Sequence, residues 1–173
     1  MDYIRLTFDE LSVESISDLV RDETCGAISM FIGTTRNSFD GKKVVSLEYE
    51  AYEAMAVKAL KSICCDIRKK WPDVCNIAIY HRLGEVASRC SSVVIAISSP
   101  HRKESLDSVA YCIEQLKANV PIWKKEKYVD DEAVWKENKE CPCRDDRRGA
   151  LVSTNRHYSP MRSNFFILLK VIL

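Results

Sequence analysis

The chain opens on an alternating run. Tyr3 to Phe8 switches between apolar and polar side chains and predicts a strand. Ser12 then stands where an N-cap belongs. Val13, Ile16, Leu19 and Val20 follow on one face of a helix predicted to run to about Asp22. Gly26–Thr34 (GAISMFIGT) is almost continuously apolar, the pattern of a buried central strand. Arg36–Lys43 (RNSFDGKK) is a polar loop with an Asp-Gly turn signal, and Val44–Tyr49 alternates again as a strand. Over 51 to 71, Met55, Leu60, Ile63, Ile67 and Trp71 recur at helical spacing, with Pro72 just beyond. Asn76–His81 (NIAIYH) predicts a strand, Leu83-Gly84-Glu85 a turn, and Ser92–Ile97 another strand.

A helix follows from Pro100, a residue suited to the first helical position because its missing N–H costs nothing there. Its apolar stripe is Leu106, Val109, Ala110, Ile113, Leu116 and Val120, and Pro121 ends it. Asp130–Lys139 predicts a short, highly charged helix around Trp135. The order β-α-β-β-α-β-β-α indicates an α+β domain rather than a doubly wound sheet, and its element pairs are too few for an α/β barrel. No internal repeat or domain-sized linker is visible. Beyond about Cys141 the character changes. Arg144–Arg148 is a charge cluster, and Leu151–Leu173 has no clear period before its apolar end. Residues 1–140 read as the domain. Residues 141–173 read as an atypical C-terminal extension, either a mobile tail or a strand added to a sheet edge.

Composition narrows the function. With 173 residues, 46% hydrophobic and 29% charged, the chain can bury a core without disulfide staples. Lys plus Arg number 26 against 25 Asp plus Glu, a net charge of +1, which argues against a general nucleic-acid binder. The longest apolar run, Phe165–Leu173, is interrupted by Lys170 and falls far short of the roughly 20 residues of a membrane span. The N-terminus lacks the pattern of a signal peptide. A cytoplasmic protein is the expectation, with no membrane and no nucleic-acid partner. The eight cysteines read as reduced, small hydrophobes. Cys141-Pro-Cys143 is a lone pair, short of the four ligands that zinc usually takes, so no metal site is expected.

No Ser-His-Asp order, HExxH motif, P-loop or GxGxxG fingerprint is present. What stands out is a set of basic residues at the ends of elements. His101 and Arg102 sit at a strand-to-helix junction, where free N–H groups attract anions but cations oppose the dipole; a solvated basic turn is the plainer alternative. Lys117 falls in the apolar stripe. It is either a partly buried lysine of lowered pKa, suited to nucleophile or base work, or a last-turn lysine favoured by the dipole. Lys124 and Lys125 follow Trp123 and can be held near Lys117, or carry ordinary charges on a Trp-anchored surface strand. Arg36 ends the apolar strand, at a loop position suited to bidentate phosphate or carboxylate recognition. Glu48, Glu50 and Glu53 suggest acid–base work less well than they suggest a helix start.

These segments together resemble the large, catalytic subunits of molybdopterin synthase. The resemblance rests on GAISMFIGTTRN (Gly26–Asn37), LEYEAYEAMA (Leu47–Ala56), IYHRLGEV (Ile79–Val86), SSPHR (Ser98–Arg102) and LKANVPIWKKE (Leu116–Glu126), in order across about residues 3 to 140. It implies an α+β, hammerhead-type domain with a mixed, mainly antiparallel sheet. The implied reaction takes sulfur from the C-terminal glycine thiocarboxylate of a small ubiquitin-like carrier subunit. Two sulfurs pass to cyclic pyranopterin monophosphate, forming the dithiolene of molybdopterin. It further implies a homodimer of large subunits with a carrier on each side, a heterotetramer, and no metal or redox cofactor for this step. Lys117 matches the family's principal catalytic lysine and Lys124 the second. Arg36, His101 and Arg102 match residues of the anionic pterin pocket, and Lys125 and Glu126 lie in the matching substrate-contact stretch. Beyond about Glu140 the resemblance stops. A non-catalytic scaffold that only binds the carrier, and an unrelated phosphate-binding domain, are the rival readings.

Overall fold

The computed structural model describes residues 1–39, 41–129 and 134–136. The elements in chain order are β1 (Asp2–Thr7), α1 (Val13–Leu19), β2 (Ala27–Thr34), β3 (Ser38–Phe39), β4 (Lys42–Ala51), α2 (Glu53–Lys70), β5 (Ile77–Arg82), β6 (Gly84–Ala87), β7 (Ser91–Ser99), α3 (Arg102–Asn119), β8 (Ile122–Tyr128) and β9 (Val134–Lys136). The class is α+β. One sheet runs β1-β5-β7-β2, with β1 and β5 parallel and the other pairs antiparallel. The second runs β3-β4-β8-β9, with β6 also paired to β4, and is antiparallel throughout.

The core follows from the two-residue period of the first sheet. Ile77, Ile79, Ile95 and Ile97 point to one face and pack with Leu60, Cys64 and Ile67 of α2 and Val109, Cys112 and Leu116 of α3. Ala78, Val94 and Ala96 point to the other, where Ile16 and Val20 cover them. β5 and β7 are therefore buried on both faces, which their near-continuous apolar sequence requires. Ser12 caps α1 as expected, accepting from Ser15 N at 3.2 Å.

Several expectations change. The apolar segment at 26–34 is not a central strand. β2 lies at the edge of its sheet, and Ile28 and Ile32 are 38% and 41% exposed. Its apolar run resembles that of β7, and sequence alone does not say which of two such strands takes the edge. The expected turn at Leu83-Gly84-Glu85 is a sharp bend at Gly84 (φ +71°) that opens directly into β6. Within the expected Arg36–Lys43 loop, Ser38–Phe39 pairs with β4 as β3. Of the expected helix at 130–139, Val134–Lys136 is strand β9, paired antiparallel to Glu126–Lys124. Glu48 and Glu50 lie on β4, and only Glu53 starts a helix.

α3 also differs. It begins at Arg102, with His101 at the N-cap position, two residues later than the Pro100 start expected. Its buried face is Ser105, Ser108, Val109, Cys112 and Leu116, with Ser105 Oγ donating to Ile97 O at 2.9 Å. Of the expected stripe, Val109, Leu116 and Val120 are buried and Ile113 packs against the core, while Leu106 and Ala110 are exposed. Ser105 and Ser108 are fully buried on the inner face, their hydroxyls satisfied by the carbonyls of Ile97 and Ser105. Among the described residues, no helix is long and apolar enough to cross a membrane. The extension 141–173, the Cys141–Cys143 pair and the charge cluster lie outside the described residues.

Candidate active site

β8 organises the lysine-rich segment. Its alternation sends Lys124, Glu126 and Tyr128 to one face and Trp123, Lys125 and Lys127 to the other. Lys124 and Lys125, adjacent in sequence, therefore cannot serve one point together. Lys124 lies opposite Tyr49 of β4, and Lys125 opposite Glu48. Lys124 Nζ stands 3.4 Å from Glu126 Oε1, and the Glu126 side chain is almost wholly buried. Tyr128 donates its hydroxyl to the other oxygen of Glu126. A buried carboxylate held on both oxygens fixes where the Lys124 ammonium sits. On the opposite face Lys127 bridges Glu85 (3.2 Å) and Glu48 (3.6 Å).

Behind this face lies a polar layer that sequence reasoning did not single out. Tyr49 is half-buried, its ring 4.9 Å from that of His81 in an edge-on contact, with Ser92 as a polar neighbour. Burial raises the Tyr49 phenol, with the Glu126 charge adding to the effect and Ser92 opposing it. Ser92 also meets Thr35 Oγ1 at 3.5 Å, one residue before Arg36. Burial pushes His81 down to about 4, the Arg82 carbonyl only partly opposing it, so the imidazole is neutral near pH 7. Its Nδ1 therefore carries the proton and donates to Arg82 O at 2.7 Å. The signal for this layer was a histidine and a tyrosine at inward positions of otherwise apolar strands.

Arg36 is exposed at the end of β2, on an open cleft of about 410 Å³ between Thr34–Ser38 and the Ser88–Arg89 turn. Arg89, also absent from the sequence-based set, brings a second guanidinium to this cleft. It takes a left-handed φ of +71°, with its N–H donating to Thr35 O at 2.9 Å. Two guanidiniums on a polar cleft suit an anion.

His101 and Arg102 are exposed at the other end of the same strands. Gly26 N donates to Pro100 O at 3.3 Å, an approach so close that a Cβ on Gly26 would stand 2.8 Å from that oxygen. β2 and β7 are antiparallel, with Ala27 opposite Ser99 and Thr34 opposite Ser91. The eight residues of β2 span roughly 25 Å, and that length separates His101 and Arg102 from Arg36. α3 returns along the sheet from His101, and its 18 residues span about 27 Å. Lys117, in its last turn, is carried to the Arg36 end. Lys117 is exposed there, the last-turn lysine of the two readings rather than the partly buried one. One chain thus groups Arg36, Lys117 and Lys124 toward one end and places His101 and Arg102 at the other.

The family model described as MoaE protein matches residues 6–119. The chain belongs to this family. It is 60% identical over 143 residues to molybdopterin synthase catalytic subunit 1 of Aedes aegypti, covering 82% of this chain and 92% of that one. It is 61% identical over 140 residues to the molybdopterin synthase catalytic subunit of Taeniopygia guttata, covering 81% and 90%. Among solved structures, the molybdopterin synthase of Staphylococcus aureus superposes with a TM-score of 0.72 at 38% identity, covering 76% of this chain and 94% of that one. As a MoaE-family chain it is a catalytic subunit of molybdopterin synthase, an enzyme of molybdenum cofactor biosynthesis that transfers sulfur in molybdopterin formation.

Proposed function

We propose that the sulfur donor is the thiocarboxylated C-terminus of a small ubiquitin-like carrier subunit and that the acceptor is cyclic pyranopterin monophosphate. Lys117 and Lys124 are the catalytic residues. Arg36, His101, Arg102, Lys125 and Glu126 bind or orient the substrate. Both reactants are anionic, and cations fixed before they arrive stabilise them without reorganisation. Lys117 assists cleavage of the acyl carbon–sulfur bond or the proton transfer that accompanies it. Lys124, anchored by Glu126, holds negative charge on the pterin. Lys125, on the opposite face of β8, contacts substrate only at the rim of the pocket. The step runs without a metal or redox cofactor, and the enzyme works in the cytosol.

The observation that carries the reading is the separation of its cations. A single chain holds Arg36, Lys117 and Lys124 about one strand length away from His101 and Arg102. Two copies related by a two-fold axis, with the Arg36 end of one against the His101 end of the other, make two complete pockets. The synthase then works as a homodimer of large subunits inside a heterotetramer, with each pterin pocket shared between the two. The test is reconstitution of purified chain, thiocarboxylated carrier and cyclic pyranopterin monophosphate. Product from the wild-type chain, with a loss of at least about a hundredfold in Lys117→Ala, is the expected outcome. Equal product from Lys117→Ala overturns the assignment of that lysine. Carrier binding without product from the wild type favours a scaffold.

A further inference from the structure

Near the end of β7 that leads to His101, three ligand-type side chains converge. Asp22, Cys25 and Cys75 each offer one donor atom, and the three donors lie within 4.8 Å of one another. Asp22 and Cys25 come from the turn before β2, closed by Cys25 N donating to Asp22 O at 3.1 Å. Cys75 comes from the segment before β5, so the cluster has no sequence motif. Asp22 is exposed and both cysteines are half-buried, which leaves a path for a solute.

We propose that Asp22, Cys25 and Cys75 form a site for a thiophilic divalent cation of the zinc class, with water as the fourth ligand. A tetrahedral zinc takes sulfur at about 2.3 Å and carboxylate oxygen at about 2.0–2.2 Å, which puts neighbouring donors about 3.6–3.8 Å apart. The donors here need only a small inward shift. The surroundings supply the outer partners that such sites use. Thr24 donates to Asp22 Oδ1 through both its N–H (2.9 Å) and its hydroxyl (2.5 Å). The Thr24 hydroxyl lies 3.8 Å from Cys75 Sγ. The N-terminal ammonium is held nearby, on Cys75 O at 3.0 Å and Asn76 Oδ1 at 2.7 Å, and opposes a cation from that side.

Coordination breaks two S–H bonds, releases two protons to solvent and forms two metal–sulfur bonds, with no change of oxidation state. The site would tie the turn before β2 to the segment before β5. Gly26 N and Cys75 N already donate to Pro100 O (3.3 Å) and Ser98 O (2.9 Å), so the tie braces the end of β7 that carries His101.

The experiment titrates the reduced, full-length chain with Co2+ alone as an optical probe, then displaces it with Zn2+. Cys141 and Cys143 are replaced by Ser throughout, so that this pair supplies no ligand. The expected result is one metal per chain, a thiolate-to-cobalt charge-transfer band and a metal-dependent rise in the thermal midpoint. Cys25→Ser and Cys75→Ser abolish the band. Asp22→Asn, at an exposed position where the amide oxygen still accepts from Thr24, keeps the native midpoint without metal and weakens binding by about tenfold or more. No stoichiometric binding, or binding that survives both serine substitutions, overturns the site. Two thiols lost to a Cys25–Cys75 disulfide under air, with no metal taken up by the reduced chain, overturns it as well.

Discussion

Arg89 shows at the residue scale how backbone and chemistry meet in this protein. It holds a left-handed φ with an ordinary side chain, a strain of about 1–2 kcal/mol that glycine does not carry. Arg89→Gly raises stability by about 1 kcal/mol in urea unfolding, the glycine's larger unfolded entropy offsetting part of the relief. His81 gives a second residue-scale prediction. Above about pH 6.5 it is neutral folded and unfolded, and its contribution to stability is complete. Between the ordinary value of 6.5 and its folded value of about 4, the unfolded chain takes the proton first, so stability falls as pH falls. The loss across that window is about 3 kcal/mol. His81→Gln, measured by urea midpoint from pH 7 to 4.5, flattens this part of the profile relative to wild type.

At the scale of elements, the sequence was legible where one face decides the pattern. β1, α1, α2, β5, β7 and the end of α3 at Pro121 are where periodicity and punctuation put them. It was misread where an apolar pattern has two solutions. The edge position of β2 is set by which strand pairs with β7, and the exposure of Leu106 and Ala110 on α3 goes with the burial of Ser105 and Ser108 on its inner face. β9 owes its form to pairing with β8, which local charge does not reveal. The faces of α3 are testable. Leu106→Gln, at a 59% exposed position, changes stability by less than about 0.5 kcal/mol. Leu60→Ala on α2, fully buried against the first sheet, costs about 3 kcal/mol in the same assay. Reversed magnitudes would contradict the observed packing.

For the whole molecule, the candidate site residues could be named from the sequence but their grouping could not. Arg36, His101, Arg102, Lys117, Lys124, Lys125 and Glu126 stood out from motifs and positions. Sequence does not give the distance between the two ends of a strand, and so gave no hint that one chain divides these cations. Nor did it reveal the Tyr49–His81–Ser92 layer, whose members are far apart along the chain and meet only between two sheets. Glu126→Gln separates anchoring from charge in this layer. It keeps the hydrogen bond from Tyr128 but loosens Lys124, lowering molybdopterin formation about tenfold while leaving carrier binding unchanged in a pull-down.

The most direct measurement of the proposed shared pocket is complementation between two inactive chains. Lys117→Ala and His101→Ala are each purified, shown to be inactive alone, then mixed, allowed to exchange subunits, and assayed for molybdopterin with thiocarboxylated carrier and cyclic pyranopterin monophosphate. In a pocket built from two chains, half of the pockets in each mixed dimer carry neither substitution. Random pairing then restores about a quarter of wild-type activity. Activity that stays at the level of the two separate variants, after exchange into mixed dimers has been verified, would contradict the account: Lys117 and His101 would then serve the same pocket from the same chain.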